Sequence, residues 1–85
     1  MTRWDLHPRA DFELWFETTL SELGLSFERT TLKSLPPNVH WHIRRPGSKG
    51  VLEATWIRNG EAWLSVHSNR QAEWIHQMVE LILTR

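Results

Sequence analysis

The chain has 85 residues, which is enough for one hydrophobic core and too few for a second. It contains no cysteine, so disulfides, thiolate metal ligands and a cysteine nucleophile are excluded. Ten basic residues balance ten acidic ones, and therefore no overall charge directs the protein to nucleic acid or to an anionic membrane. No stretch resembles a secretory leader or reaches the roughly 20 apolar residues that span a bilayer, so we expect a cytoplasmic protein without a membrane partner.

The first part of the chain predicts a loose arm followed by an amphipathic helix. Residues 1–7 mix charged and apolar side chains without a period, and we expect them to form a loose N-terminal arm. Large apolar side chains then recur at three- and four-residue spacing, with acidic residues on the opposite side. They are Phe12, Trp15, Phe16, Leu20 and Leu23. This pattern predicts a helix over about residues 8–23, with Gly24 as its C-terminal stop.

The middle of the chain predicts four antiparallel strands, because short runs of alternating apolar and polar side chains follow one another. The runs cover residues 25–32, 39–44, 51–57 and 62–67. The dipeptide Asn59-Gly60 predicts a two-residue hairpin turn between the last two strands, since both positions accept positive φ. Residues 44–50, which we name the basic turn, join the second strand to the third. Every connection is too short for the crossover that a parallel sheet requires.

A second amphipathic helix follows the strands. Ser68 and Gln71 form a capping-box pattern, and an apolar stripe continues to about residue 83. The stripe includes Trp74 and is wider than one sheet face needs, which favours a dimer surface on this helix. We therefore expect one α+β domain over residues 1–85, in the order α-β-β-β-β-α, with both helices packed on one face of the antiparallel sheet.

Alternation assigns the strand residues to two faces of this sheet. The core face takes Val39, Trp41, Ile43, Leu52, Ala54, Trp56, Ala62, Leu64 and Val66. The outer face presents His40, His42, Arg44, Glu53, Thr55, Ile57, Trp63, Ser65 and His67. Functional side chains are expected on this outer face or in the basic turn.

The outer-face histidines suggest metal or acid–base chemistry. His40 and His42 lie on one side of a strand, as in His-x-His pairs that share a metal ion, and a favourable register brings His67 close. Glu53 offers a carboxylate, and alternation places an acid–base set of His42, Glu53, Ser65 and His67 on the same face. Polar histidines on an exposed sheet face are the simpler explanation. Because no motif specifies a third ligand, a nucleophile or a phosphate loop, we assign no metal ligand, no cofactor and no enzymatic activity from the sequence.

The basic turn suggests a nucleic-acid ligand. Arg44, Arg45 and Lys49 offer phosphate contacts, and Trp63 offers a ring for base stacking. The helix–sheet–helix order resembles that of double-stranded RNA-binding domains. The last helix of that family begins with a cluster of lysines, whereas Arg70 is the one cation of residues 68–72 here. This departure and the zero net charge make RNA or DNA an alternative partner rather than the leading one.

Contact with a protein partner or a second copy of the chain is the leading hypothesis. Surface aromatic residues, an open sheet edge and the wide stripe of the last helix favour it. We expect a small non-catalytic interaction module, with nucleic-acid binding as the alternative and a histidine metal site or small enzyme as the second alternative. The candidate surface residues are His40, His42, Arg44, Arg45, Lys49, Glu53, Trp63 and His67.

Overall fold

Five antiparallel strands form one sheet in the computed structural model of the protein, which describes residues 2–7, 9–32, 37–58 and 60–85. The strands are β1 Thr2–Leu6, β2 Ser26–Leu32, β3 Asn38–Arg44, β4 Leu52–Ile57 and β5 Ala62–Val66. The helices are α1 Phe12–Glu22 and α2 Glu73–Leu83, with a short 3-10 turn at Ser68–Arg70. The sheet order β1-β5-β4-β3-β2 confirms the α+β class and the antiparallel sheet, with one strand more than predicted. Neither of these two helices has the length and apolar character needed to cross a membrane.

The additional strand, β1, lies where the sequence predicted a loose arm, and that prediction is wrong. β1 pairs antiparallel with β5 along its whole length. The ring of Trp4 meets that of His76 in α2 edge-on, with centroids 5.7 Å apart, and Leu6 is buried in the core. Arg3 and Asp5 alternate with these residues, but five positions are too few for a period to separate a strand from an irregular arm.

The aromatic stripe of α1 packs onto the sheet. The ring of Phe12 stacks on that of Trp56 at a centroid distance of 5.4 Å, and Phe16 contacts Trp41 edge-on at 4.9 Å. Each fully buried aromatic side chain contributes about 1.5–3 kcal/mol through the apolar surface it removes from water. The helix begins later than predicted and ends, as predicted, ahead of Gly24.

The core face of the sheet follows the predicted alternation. Of the nine predicted core residues, eight are buried and Trp56 is half-buried against them. The register sets Ala54 between Trp41 and Leu64, all three on the helical side. Both helices and the three central strands therefore share one core.

The predicted turn at Asn59-Gly60 includes Asn59, which lies outside the described residues. The strands on either side of it are paired, with Trp56 opposite Ala62. The N–H of Ile57 donates to the carbonyl oxygen of Glu61 at 2.8 Å. β4 and β5 therefore form a hairpin as predicted, but three residues rather than two lie between the paired Ile57 and Glu61, so the predicted two-residue turn is wrong.

The basic turn is held against the start of α2. The indole N–H of Trp74 donates to the carbonyl oxygen of Lys49 at 2.6 Å, and the N–H of Val51 donates to that of Arg70 at 3.1 Å. Gly50 has a φ of +96°, and a Cβ at this position would lie 2.7 Å from the Cβ of Ala72. Glycine is therefore required here for two reasons, its backbone conformation and the close approach of the helix.

α2 begins later than the capping-box pattern predicted, and that detail of the prediction is wrong. Ser68 opens the 3-10 turn, and Ala72, which has no hydrogen-bonding side chain, precedes the first residue of α2. The carbonyl oxygen of Arg70 accepts from the N–H of Val51, directly after the basic turn, instead of from a helical N–H. Trp74 is buried, so it does not belong to an exposed apolar stripe, and the helix ends at Leu83 as predicted.

Candidate metal centre on the outer sheet face

Three histidines and one glutamate meet on the sheet face that the helices leave uncovered. The β3–β4 register sets His42 opposite Glu53 and His40 opposite Thr55. β5, on the other side of β4, is followed by His67, whose imidazole reaches the carboxylate of Glu53. Alternation selects the face, and the hairpin register brings these side chains together.

Glu53 is buried although it belongs to the outer face, with 7% of its surface exposed. Its Oε1 lies 2.9 Å from Nε2 of His40 and 3.7 Å from Nε2 of His42, and its Oε2 lies 3.0 Å from Nε2 of His67. The sequence predicted an exposed position for Glu53, and that prediction is wrong because neighbouring imidazoles cover it. A carboxylate out of water requires such hydrogen-bonding partners.

The hydrogen bonds of His40 assign its imidazole proton. A carboxylate only accepts, so Nε2 of His40 carries the proton of its hydrogen bond to Oε1 of Glu53. Nδ1 of His40 lies 2.9 Å from Oγ1 of Thr55, whose hydroxyl then donates to it. If the proton moves to Nδ1, Thr55 accepts it instead and Nε2 of His40 is left free to bind an ion.

The cluster fits a divalent transition-metal ion. His40, His42 and Glu53 offer one ligand atom each, and these atoms lie within 4.8 Å of one another. Tetrahedral zinc, with bonds of about 2.0–2.1 Å to nitrogen, holds its ligand atoms about 3.3 Å apart. The distances of 2.9 and 3.7 Å from Glu53 to the two imidazoles lie on either side of that value. Within the described ranges, this is the one group of histidine and acidic side chains with such spacing.

His67 has a different place in the cluster. It contacts only the second carboxylate oxygen of Glu53, and 45% of its side chain is exposed. This position orients Glu53 from outside the three-ligand group, as partners of metal ligands commonly do. The acid–base alternative required His42, Glu53 and His67 to converge in a cleft with a bound ligand or metal. The three side chains meet around Glu53, with Ser65 opposite Glu53 in the sheet, and the alternative stays a prediction.

Comparison of the chain with known proteins gives no match. No family model matches it, and neither a curated protein nor a solved structure is significantly similar to it. The candidate site is therefore argued from its own geometry.

Arg44, the first cation of the basic turn, lies close to the cluster. Arg44 follows His42 on the same face of β3, and its guanidinium lies 3.9 Å from the carboxylate of Glu28. These two groups and His42, together with Ser26 and Phe27, line a shallow depression of about 200 Å³. The other two predicted phosphate-contacting residues of the turn, at positions 45 and 49, are exposed.

Trp63 is not the open stacking surface that the sequence suggested. The guanidinium carbon of Arg3 lies 4.2 Å from the centre of its ring, and Trp63 is half-buried. Arg3 reaches the ring of Trp63 because β1 lies beside β5. The prediction of a loose arm at residues 1–7 gave no indication of this contact.

Thr55 is the other functional side chain that the sequence analysis did not single out. Its only signal in the sequence was its predicted outer-face position, and the β3–β4 register then sets it opposite His40. Residues 40, 42, 53 and 67 of the prediction meet at one centre, whereas Arg44 borders it and Trp63 lies apart under Arg3.

Proposed function

We propose that this protein binds a divalent transition-metal ion, with His40, His42 and Glu53 as ligands. The observation that supports the proposal is the convergence of two imidazole nitrogens and a buried carboxylate oxygen within 4.8 Å. Chance polar positions on a sheet face would leave a carboxylate exposed to water, but the histidines here cover it.

The donor set favours zinc over the hard cations. Imidazole nitrogen suits zinc, copper, nickel and iron, whereas calcium and magnesium prefer a shell of oxygen ligands. Three protein ligands leave a fourth tetrahedral position for water or for an external group. The side chains that orient the ligands are present, because Thr55 holds His40 and His67 holds Glu53.

Isothermal titration calorimetry with zinc and then cobalt(II), after treatment with a chelator, tests the proposal. The wild type is expected to bind one equivalent. His42→Gln removes a ligand and should weaken binding by far more than tenfold, whereas Thr55→Val removes only an orienting group and should weaken it about 10- to 100-fold. His7→Gln is the matched control, because His7 is exposed and is not among the residues that could hold the ion.

Cobalt(II) absorption provides a second readout, since its visible bands intensify in a tetrahedral site. Absence of binding by the wild type, or equal binding by the wild type and His42→Gln, would contradict the proposal. Either result would leave the cluster as a hydrogen-bonded network around Glu53.

The interaction with a protein partner or a second copy stays a prediction, as do the cytoplasmic location and the absence of enzymatic activity. The large apolar side chains exposed among the described residues are Leu14, Leu81 and Leu83. Two of them lie on α2, where the sequence placed a dimer surface, and Leu14 lies on α1. Such scattered exposed residues are common on monomers, so the metal centre is the more specific proposal.

A further inference from the structure

Exposed cations follow the metal centre at the end of β3 and in the basic turn. Arg44 lies two positions after His42 on β3, about 7 Å along the strand. Arg45 and Lys49 are exposed in the basic turn, and the carbonyl oxygen of Arg70 accepts from the N–H of Val51, directly after the turn.

Three of these cations are not neutralised by an acidic residue. Arg44 lies 3.9 Å from the carboxylate of Glu28, whereas Arg45, Lys49 and Arg70 form no ion pair with any described acidic residue. In contrast, Arg29 on the helical side pairs with Glu13 at 2.8 Å and Glu17 at 3.5 Å, both on α1. The zero net charge of the chain therefore includes a local excess of cations in the basic turn, which contains no acidic residue.

We propose that the metal-loaded protein binds the phosphodiester backbone of a nucleic-acid strand at this end. One phosphate oxygen takes the open position of the ion, and Arg44, Arg45 and Lys49 contact the flanking phosphates. The inference rests on the proposed function, since it requires an ion held by His40 and His42. The depression between His42 and Arg44 is where the coordinated phosphate lies.

A strand, rather than a single phosphate, is favoured by the number of exposed cations in the basic turn. A single phosphate would be bound by the ion and Arg44 alone, and Arg45 and Lys49 of the basic turn would then have no ligand. Glu28 opposes anion binding, but its side chain is 80% exposed and free to turn away from the depression. Because Arg3 covers the ring of Trp63, recognition falls on the backbone and is independent of base sequence.

Fluorescence anisotropy with a labelled oligothymidine, at low and at physiological salt, tests the inference. Zinc is expected to tighten binding by the wild type at least about tenfold, which corresponds to 1.4 kcal/mol. Replacing Arg45 and Lys49 together by Gln should abolish most of this binding and reduce the slope of log affinity against log salt by about 1.4, because each single-strand phosphate contact contributes about 0.7. The control with the same charge change is Arg9→Gln with Arg58→Gln, two cations outside the basic turn.

The identity of the ligand is tested on the cobalt(II) protein. Addition of the oligonucleotide should change the visible spectrum, since a phosphate oxygen enters the coordination sphere. Inorganic phosphate should do so only at much higher concentration, and a polyglutamate peptide of equal charge should compete weakly. Equal potency of free phosphate or of polyglutamate would overturn the assignment to a nucleic-acid strand.

Failure of the inference is distinguishable from failure of the proposed function. If calorimetry shows zinc binding but zinc leaves the anisotropy titration unchanged, the metal centre stands and the nucleic-acid site is refuted. If calorimetry shows no zinc binding, the metal centre is refuted and the inference falls with it.

Discussion

Replacing Gly50 by Ala should destabilise the protein through the contact between the basic turn and α2. The positive φ of +96° costs an L-residue about 1–2 kcal/mol. The new Cβ would also lie 2.7 Å from Ala72 Cβ and 3.0 Å from the carbonyl oxygen of Arg70, and overpacking of this kind costs about 1–3 kcal/mol more. We expect a total loss of about 2–5 kcal/mol, out of a stability of about 4–13 kcal/mol for a chain of this length.

Gly47→Ala is the matched control, because Gly47 has a φ of +79° but no atom within 4 Å of the added Cβ. It should lose only the conformational cost of about 1–2 kcal/mol. Urea unfolding followed by tryptophan fluorescence measures both variants, and Trp74 beside the turn reports on the contact. With a denaturant slope of about 1 kcal/mol/M, the two midpoints should differ by about 1–3 M. Coincident midpoints would refute the packing of the turn against α2.

Three other outcomes follow from the fold and the site. Leu6→Ala should lower the free energy of unfolding in urea by about 2–4 kcal/mol, since Leu6 is buried, whereas Leu14→Ala at an exposed position should lower it by almost nothing. Equal effects of the two substitutions would indicate that residues 2–6 are a loose arm after all. Ala54→Asp places an unpaired charge in the core and should abolish the folded circular dichroism spectrum. Thr30→Asp, on the exposed outer face, should retain that spectrum, and the opposite result would show that the two sheet faces are assigned the wrong way round. Zinc affinity measured by calorimetry should fall as the pH is lowered, because protons compete with the ion for the imidazole nitrogens; a pH-independent affinity would exclude histidine ligands.

The faces of the central strands could be predicted because each strand has a simple environment. Trp41 and Ala54 are buried on one side, and His40 and His42 face away from the helices, so period-2 alternation identifies both faces. Turn residues and short connections also limited the sheet to antiparallel pairing. The contact between His42 and Glu53 could not be predicted, because it depends on the register of β3 against β4. The short basic turn limits the possible registers but does not select one of them.

The features that escaped prediction depend on contacts between distant parts of the chain. β1 is a strand only because β5 and α2 provide a surface for Trp4 and Leu6. The late start of α2 depends on the basic turn engaging Arg70, which a capping pattern in residues 68–71 does not contain. The burial of Glu53 likewise depends on side chains that come from different parts of the chain, so no local sequence pattern predicts it.

The position of β1 also affects the order in which the sheet assembles. β2 to β5 follow one another through short connections, whereas β1 must find β5 across about sixty residues of chain. Closing such a loop costs about 2 kcal/mol more in chain entropy than closing a six-residue turn. β1 is therefore expected to dock last and detach first. Whenever β1 detaches, the exposed edge of β5 can pair with β1 of another molecule. Exchange of β1 between two molecules at this edge would give a domain-swapped dimer.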